Sequence, residues 1–124
     1  MDERARRAFV EVIGDGDQTV LLLDTAGEVS AGVYIDALGR DVSAEIGAAL
    51  GPIGAEANRA MRHLSLGSWR ALAFECQDAN LAIGPAGGGD VVLVAAAPTV
   101  PTGFVRRLLD HAAHRALAWR EEVA

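Results

Sequence analysis

The chain reads as an α+β fold, α-β-β-α-β-β-β-α, with a five-stranded antiparallel sheet carrying helices on both faces. Three observations predict it. Residues 69 to 96 hold three short strand-like runs, Trp69 to Cys76, Asn80 to Gly84 and Asp90 to Ala96, with only tight turns between them. A long helical pattern precedes that block and another follows it. A strand-turn-strand unit stands before both. If the three-strand meander joins this hairpin through its last strand, the strand order is 2-1-5-4-3 and the third strand is an edge.

Each element has its own warrant. Ala5, Phe9, Val12 and Ile13 recur at helical spacing, so residues 2 to 13 read as a short amphipathic helix, ended by Gly14-Asp15-Gly16-Asp17. Thr19 to Asp24 is a β-branched and leucine run of strand length. Asp24-Thr25-Ala26-Gly27 turns the chain, with Gly where a turn wants positive φ. Glu28 to Val33 returns, with Val29, Ala31 and Val33 expected on one face. Residues 34 to 40 connect to a second helix, capped by Asp41 or Ser43. Val42, Ile46, Leu50, Ile53, Ala57, Met61 and Leu64 form its apolar stripe, and Ser65-Leu66-Gly67 ends it. Gly51-Pro52 lies inside and is expected to kink or split it.

In the first strand of the meander, Leu72, Phe74 and Cys76 share one face and Ala71, Ala73 and Glu75 the other. Leu81 and Ile83 continue the core face in the second. Gly84 to Gly89 reads as a loose loop. Val91 to Ala97 is apolar on both faces, as a central strand under two helical layers should be. Pro98-Thr99-Val100-Pro101 breaks it, Thr102 caps the last helix, and Phe104, Val105, Leu108, Leu109, Ala112, Ala116 and Trp119 trace that helix.

Composition bounds the class. At 124 residues the expectation is one domain, residues 1–124. Hydrophobic residues make up 51% and mean hydropathy is +0.21, which argues against disorder. Net charge is −6 and all eleven basic residues are scattered arginines, so no phosphate-tracking stripe forms and no nucleic-acid partner is expected. The single cysteine excludes an internal disulfide and fits a reducing, cytoplasmic compartment. No apolar run reaches the roughly 18 residues of a membrane span, and Met1-Asp2-Glu3-Arg4 does not open a signal peptide.

Candidate chemistry resolves into plainer readings. Leu23-Asp24-Thr25-Ala26-Gly27-Glu28 is similar to a GTPase switch motif, but that motif needs a phosphate loop ending in lysine, and the chain has no lysine. The segment reads as a hairpin turn. Gly84 to Gly89 joins two strands rather than a strand to a helix, so it is a hairpin loop and not a phosphate cradle. His111 and His114 lack a third ligand, and His63 reads as a surface residue near a helix end. Cys76 has no neighbouring base and reads as a small buried hydrophobe. With no nucleophile–base pair, no catalytic residue, metal ligand or cofactor is assigned, and the chain is read as a non-enzyme.

Two features point to association. Gly47, Gly51, Gly54 and Asn58 fall on one strip of the second helix, about 100° from the apolar stripe. Small side chains there allow close approach, read as a helix contact between subunits. The strand Trp69 to Cys76, with Ala71, Leu72, Ala73 and Phe74 uncharged at its centre, is an edge suited to pair with its copy and complete a ten-stranded sheet.

The pattern resembles the Roadblock (dynein light chain) family, particularly stand-alone bacterial members related to gliding-motility regulators of Ras-like GTPases. The carriers are Val20 to Gly27 with the following strand, Glu45-Ile46 through Leu64, Leu66-Gly67-Ser68-Trp69, Asp78 to Ile83, and Thr102 to Leu109. The resemblance implies a profilin-like fold and a homodimer with a continuous sheet. It also implies paired second helices that form a landing surface for a small Ras-like GTPase. Carried over by position, that surface comprises Glu45, Glu56, Asn58, Arg59, Arg62 and His63. The expected function is a non-catalytic signalling regulator or scaffold that holds one switch state of its partner, with other signalling proteins as further partners. A small-ligand sensor of the PAS type, which shares the strand order, is the alternative.

Overall fold

A computed structural model describes residues 1–124. Its elements are α1 (Glu3–Arg6), α2 (Val10–Ile13), β1 (Thr19–Leu23), β2 (Val29–Gly32), α3 (Ser43–Leu64), β3 (Leu72–Glu75), β4 (Asn80–Pro85), β5 (Val91–Ala96) and α4 (Thr102–Val123). The five strands form one sheet in the order β2-β1-β5-β4-β3, and every neighbouring pair is antiparallel. The α+β class and the strand order agree with the sequence reading.

The sheet separates two apolar clusters. Val20, Leu22, Ala82, Val92 and Val94 face α1, α2 and α4, where Phe9, Val105, Leu109, Ala112, Ala116 and Trp119 meet them. Leu21, Leu23, Ile83, Val91 and Leu93 face α3. Side chains alternate along a strand, so β5, buried at all six positions, feeds both layers.

Four local expectations are corrected. Residues 2 to 13 form two one-turn helices rather than one, because tight turns (Ala8 N–H to the Ala5 carbonyl, Val10 N–H to the Arg7 carbonyl) interrupt the helical ladder. The bend lets Ala5, Ala8 and Phe9 all reach the core. In β2 the register slips between Leu22 and Leu23, so Leu22 meets Ala31 but Leu23 meets Val29. This bulge sends Val29 to the α3 side and Ala31 to the α4 side, against the single face expected of them. Pro52 does not split α3, which runs unbroken for 22 residues. Proline has no N–H to give the Ala48 carbonyl, but Ala48 and Pro52 are both exposed, so that carbonyl is not left unpaired in the core. Cys76, expected inside, is exposed just beyond a β3 that spans only four residues.

Two caps also differ in detail. Asp41 accepts from the Ser43 amide (3.0 Å) and hydroxyl (2.6 Å), and the Ser43 hydroxyl accepts from the Tyr34 amide (2.7 Å), which ties the start of α3 to the end of β2. Those bonds hold the Asp41 carboxyl below its ordinary range. Thr102 is the first residue of α4, behind Pro101.

The Gly84 to Gly89 loop is not loose. Gly87, Gly88 and Gly89 all take positive φ, and the Arg120 guanidinium of α4 donates to the carbonyls of Ala86 and Gly87. Arg120 also lies 3.6 Å from Asp90. Burial, opposed by Arg120 and reinforced by Asp24, raises the Asp90 carboxyl above its ordinary value. A raised carboxyl contributes stability while protonated and loses it as pH rises through its folded-state value. Asp90→Asn is therefore expected to be slightly more stable than the parent at pH 7, by under about 1 kcal/mol. The gap should close as pH falls below the ordinary aspartate range, as read by urea unfolding across that interval.

Candidate functional site

Three strips divide the surface of α3. The first is the glycine strip, and the structure corrects its reading. Gly47, Gly51 and Gly54 are buried against their own chain. A Cβ at Gly51 would sit 2.5 Å from the Gly27 Cα in the β1–β2 turn, one at Gly47 would strike the Gly27 carbonyl, and one at Gly54 would strike Val91 of β5. Glycine is required here because two backbones touch. The strip seats α3 on the sheet and is not free to meet a second subunit. Asn58, at its far end, is exposed and accepts from the buried Trp69 indole N–H (2.8 Å), which pins the Ser65 to Trp69 segment beneath the helix.

The second strip is the apolar stripe. Ile46, Leu50, Ile53, Ala57 and Met61 pack against the α3-side cluster but stay half-exposed. Leu64 and Leu66 at its end are 59% and 66% exposed. The sequence marks this stripe as apolar, and the fold shows that it is only half covered.

The third strip is polar. Glu45, Glu56, Arg59 and His63 lie exposed on the outward side of α3, while Arg62, also exposed, stands on the flank beside Asn58 above Gly67 and Ser68. Glu56 and Arg59 form an ion pair, which in water adds little stability. Asn58 stands apart from this group, engaged with Trp69.

The two edges of the sheet differ. The β2 edge is protected. α1 packs on it, and the chain returns beside its extension through the bonds from Val42 N–H to the Tyr34 carbonyl and from Asp36 N–H to the Arg40 carbonyl, both 2.9 Å. The β3 edge has β4 on one side and no strand on the other. Along it Leu72 is 37% exposed, Ala73 is exposed, Phe74 is half-buried toward α3, and Ala71 is half-buried toward α4.

Helix length carries these facts further. Twenty-two residues make a helix of about 33 Å, while five strands span about 19 Å from first to last. α3 starts at the β2 edge, passes the β1–β2 turn at Gly47 and Gly51, and reaches β5 at Gly54. Its last turns continue from there to Asn58, which holds Trp69 just ahead of β3. Beside it, the half of the sheet bearing Leu81 and Phe74 is only partly covered, with Tyr34 lying over the same layer. Burial, and then the nearby Cys76, raise the Tyr34 phenol above its ordinary value.

Elsewhere the chemistry is sparse. His111 and His114 are exposed on α4, and His114 Nδ1 lies 2.9 Å from the Asp110 carbonyl of its own helix. No three His, Cys, Asp or Glu side chains cluster as metal ligands. A hollow of about 590 Å³ lies at the surface between α1, the β1–β2 turn and the start of α3, lined by Arg6, Glu28, Val29, Asp41 and Ala48 among others. It is not enclosed beneath the helices as a sensor's ligand chamber would be. No helix is long and apolar enough to cross a membrane.

No family model matches the chain, and no curated protein is significantly similar to it in sequence. Solved structures do match. A Roadblock/LC7 domain from Streptomyces avermitilis superposes with a TM-score of 0.75 at 16% identity, covering 94% of this chain and 97% of that one. The gliding protein MglB from Thermus thermophilus gives 0.76 at 20% identity, covering 98% and 94%. An MglB solved in a tetrameric arrangement gives 0.78 at 20% identity, covering 100% and 95%. With the same sheet order and helical layers already described, the chain has the Roadblock fold, and its architecture is similar to that of the MglB proteins.

Proposed function

We propose that this chain, as a single Roadblock-like domain, is a homodimeric, non-catalytic regulator or scaffold that docks a small Ras-like GTPase. The observation that carries the reading is the open β3 edge together with the half-exposed apolar stripe of α3. Pairing of that edge with its copy brings Met61 and Leu64, at the end of α3, toward the second copy's half-buried Leu81 and Phe74. The half-exposed stripe from Ile46 to Met61 then meets its symmetric mate. Protecting one edge and leaving the other open is how sheets direct pairing. Burial of five half-exposed apolar side chains per subunit, at roughly 25 cal/mol per Å², supplies the driving force. The seam is the apolar stripe together with Leu72, Ala73 and Phe74, and no longer the glycine strip.

In such a dimer the outward strips, with Glu45, Glu56, Arg59 and His63, lie side by side as one surface, and Arg62 flanks it. The likeness to MglB gliding proteins supports a GTPase as its occupant. The mechanism is differential binding: the platform fits one switch conformation of the partner better than the other and shifts its population. Any gain in hydrolysis comes from the partner's own catalytic residues. Mixing the purified chain with the small Ras-like GTPase of its own cell, loaded with GTP analogue or GDP, should give a 2:1 complex in one nucleotide state. Failure to bind in either state refutes the assignment.

A further inference from the structure

Backbone parity along β3 limits how a second copy can pair with it. The Cys76 amide donates to the Ala79 carbonyl (2.9 Å), and Phe74 and Leu72 stand opposite Leu81 and Ile83. Alternate residues of an antiparallel strand bond to opposite sides. Leu72, Phe74 and Cys76 therefore bond inward to β4, and Ala71, Ala73 and Glu75 direct their N–H and C=O groups outward. One two-fold register pairs all three: Ala73 opposite the second copy's Ala73, and Ala71 opposite the second copy's Glu75. A register that places Glu75 opposite its own copy sets like charges face to face and is disfavoured.

The favoured register brings charge to a place prepared for it. Ala71 packs on the α4 side of the sheet, so Ala73 and Glu75 point there too. Beside Ala71 on that side is a hollow of about 280 Å³, lined by Arg70, Gly84, Arg106, Leu109 and Asp110 among others. Gly84 forms its tightly packed floor, where a Cβ would sit 2.8 Å from the Arg70 carbonyl and 3.2 Å from Leu109 Cδ2. Two arginines against one aspartate leave the rim net positive. Arg106 bonds Asp110 on its own helix and remains 38% exposed. Glu75 is exposed and forms no ion pair within the chain.

We infer that this hollow is half of an inter-subunit site: the second copy's Glu75 enters beside Ala71 and pairs with Arg106. Two symmetric pairs then fix the ladder with Ala73 on the two-fold axis. The inference rests on the homodimer reading above and adds the register and the charge pair that sets it.

Charge exchange tests it. Glu75→Arg and Arg106→Glu should each weaken dimerisation about tenfold, and the double variant should recover to within about threefold of the parent, by sedimentation equilibrium. Cross-linking gives a readout that does not depend on Arg106 variants folding well. In a Cys76→Ser background, Ala73→Cys should form an inter-subunit disulfide on mild oxidation, because hydrogen-bonded cross-strand Cα atoms lie about 5.5 Å apart. Ala71→Cys, some four residues from its copy in this register, should not. A parent that dimerises while the double variant stays as weak as the singles, or while Ala71→Cys cross-links and Ala73→Cys does not, overturns the register and leaves the dimer standing. A monomeric parent overturns the homodimer reading as well.

Discussion

Gly51→Val is expected to lower the unfolding free energy by about 3 kcal/mol, enough to leave a fold of ordinary stability marginal. On an exposed helix position the same change would be close to neutral or favourable, since glycine costs a helix about 1 kcal/mol against alanine. Here the sign reverses. The first added carbon would stand 2.5 Å from the Gly27 Cα, and that neighbour is backbone, which cannot rotate away. Gly27 itself holds φ +82° and is pressed against the Gly47 carbonyl, so the turn cannot retreat without losing its own geometry. Gly51→Ala should fall between the two, destabilising despite its better helix propensity. Chemical denaturation of the three proteins, checked by circular dichroism, measures the series. An unchanged or raised midpoint for Gly51→Ala would mean that α3 does not rest on the β1–β2 turn.

Ala73→Pro is expected to abolish self-association and leave the subunit folded. Proline has no N–H, so a central strand rejects it, but an edge strand accepts it where the amide points away from the sheet. Ala73 occupies such a position, because its neighbours Leu72 and Phe74 make the bonds to β4. The substitution removes two inter-subunit bonds at the symmetry axis and sets a ring against the incoming strand. Dimer affinity should fall by at least about a hundredfold, near 3 kcal/mol, while the thermal transition of the separated subunit moves by a few degrees at most. Alanine at Leu72, which keeps the amide, should weaken association far less. Gel filtration coupled to light scattering distinguishes the three proteins.

The sequence made the architecture legible because turns and apolar runs are local signals. The hairpin turn at Asp24 to Gly27, the doubly apolar run from Val91 and the long stripe from Ile46 each announce an element. The faces of α3 were harder to read. Hydrophobic periodicity marks Ile46, Leu50, Ile53, Ala57 and Met61 as the side to bury, and glycine carries no such signal. In the fold the glycines lie against the sheet and the apolar stripe is left half open. Only the fit of Gly27 onto Gly47 and Gly51, a contact between distant segments, reveals this. The β2 bulge was invisible for a similar reason, since one extra residue in a six-residue alternation changes no local propensity. Cys76 was misplaced because it sits where the β3–β4 turn begins: its amide still bonds the Ala79 carbonyl, but its side chain is exposed. Of the polar residues of α3, Asn58 stands apart, because its role depends on Trp69 eleven positions away.

These corrections change the physical account of association. A helix seated by glycines lies close to its sheet and has little freedom to shift there. Its apolar stripe then stands half-exposed beside the half-buried Leu81 and Phe74 of the same layer. A surface prepared in this way loses little conformational entropy on pairing, which favours a stable dimer over a transient one.

The most direct test of the account is the mass of the unmodified chain in solution. Sedimentation equilibrium at micromolar concentration should return about 25.8 kDa, twice the 12.9 kDa of one chain, and the value should hold in high salt because the seam is mainly apolar. A species of 12.9 kDa across that range would contradict the paired β3 edge and, with it, the shared α3 platform.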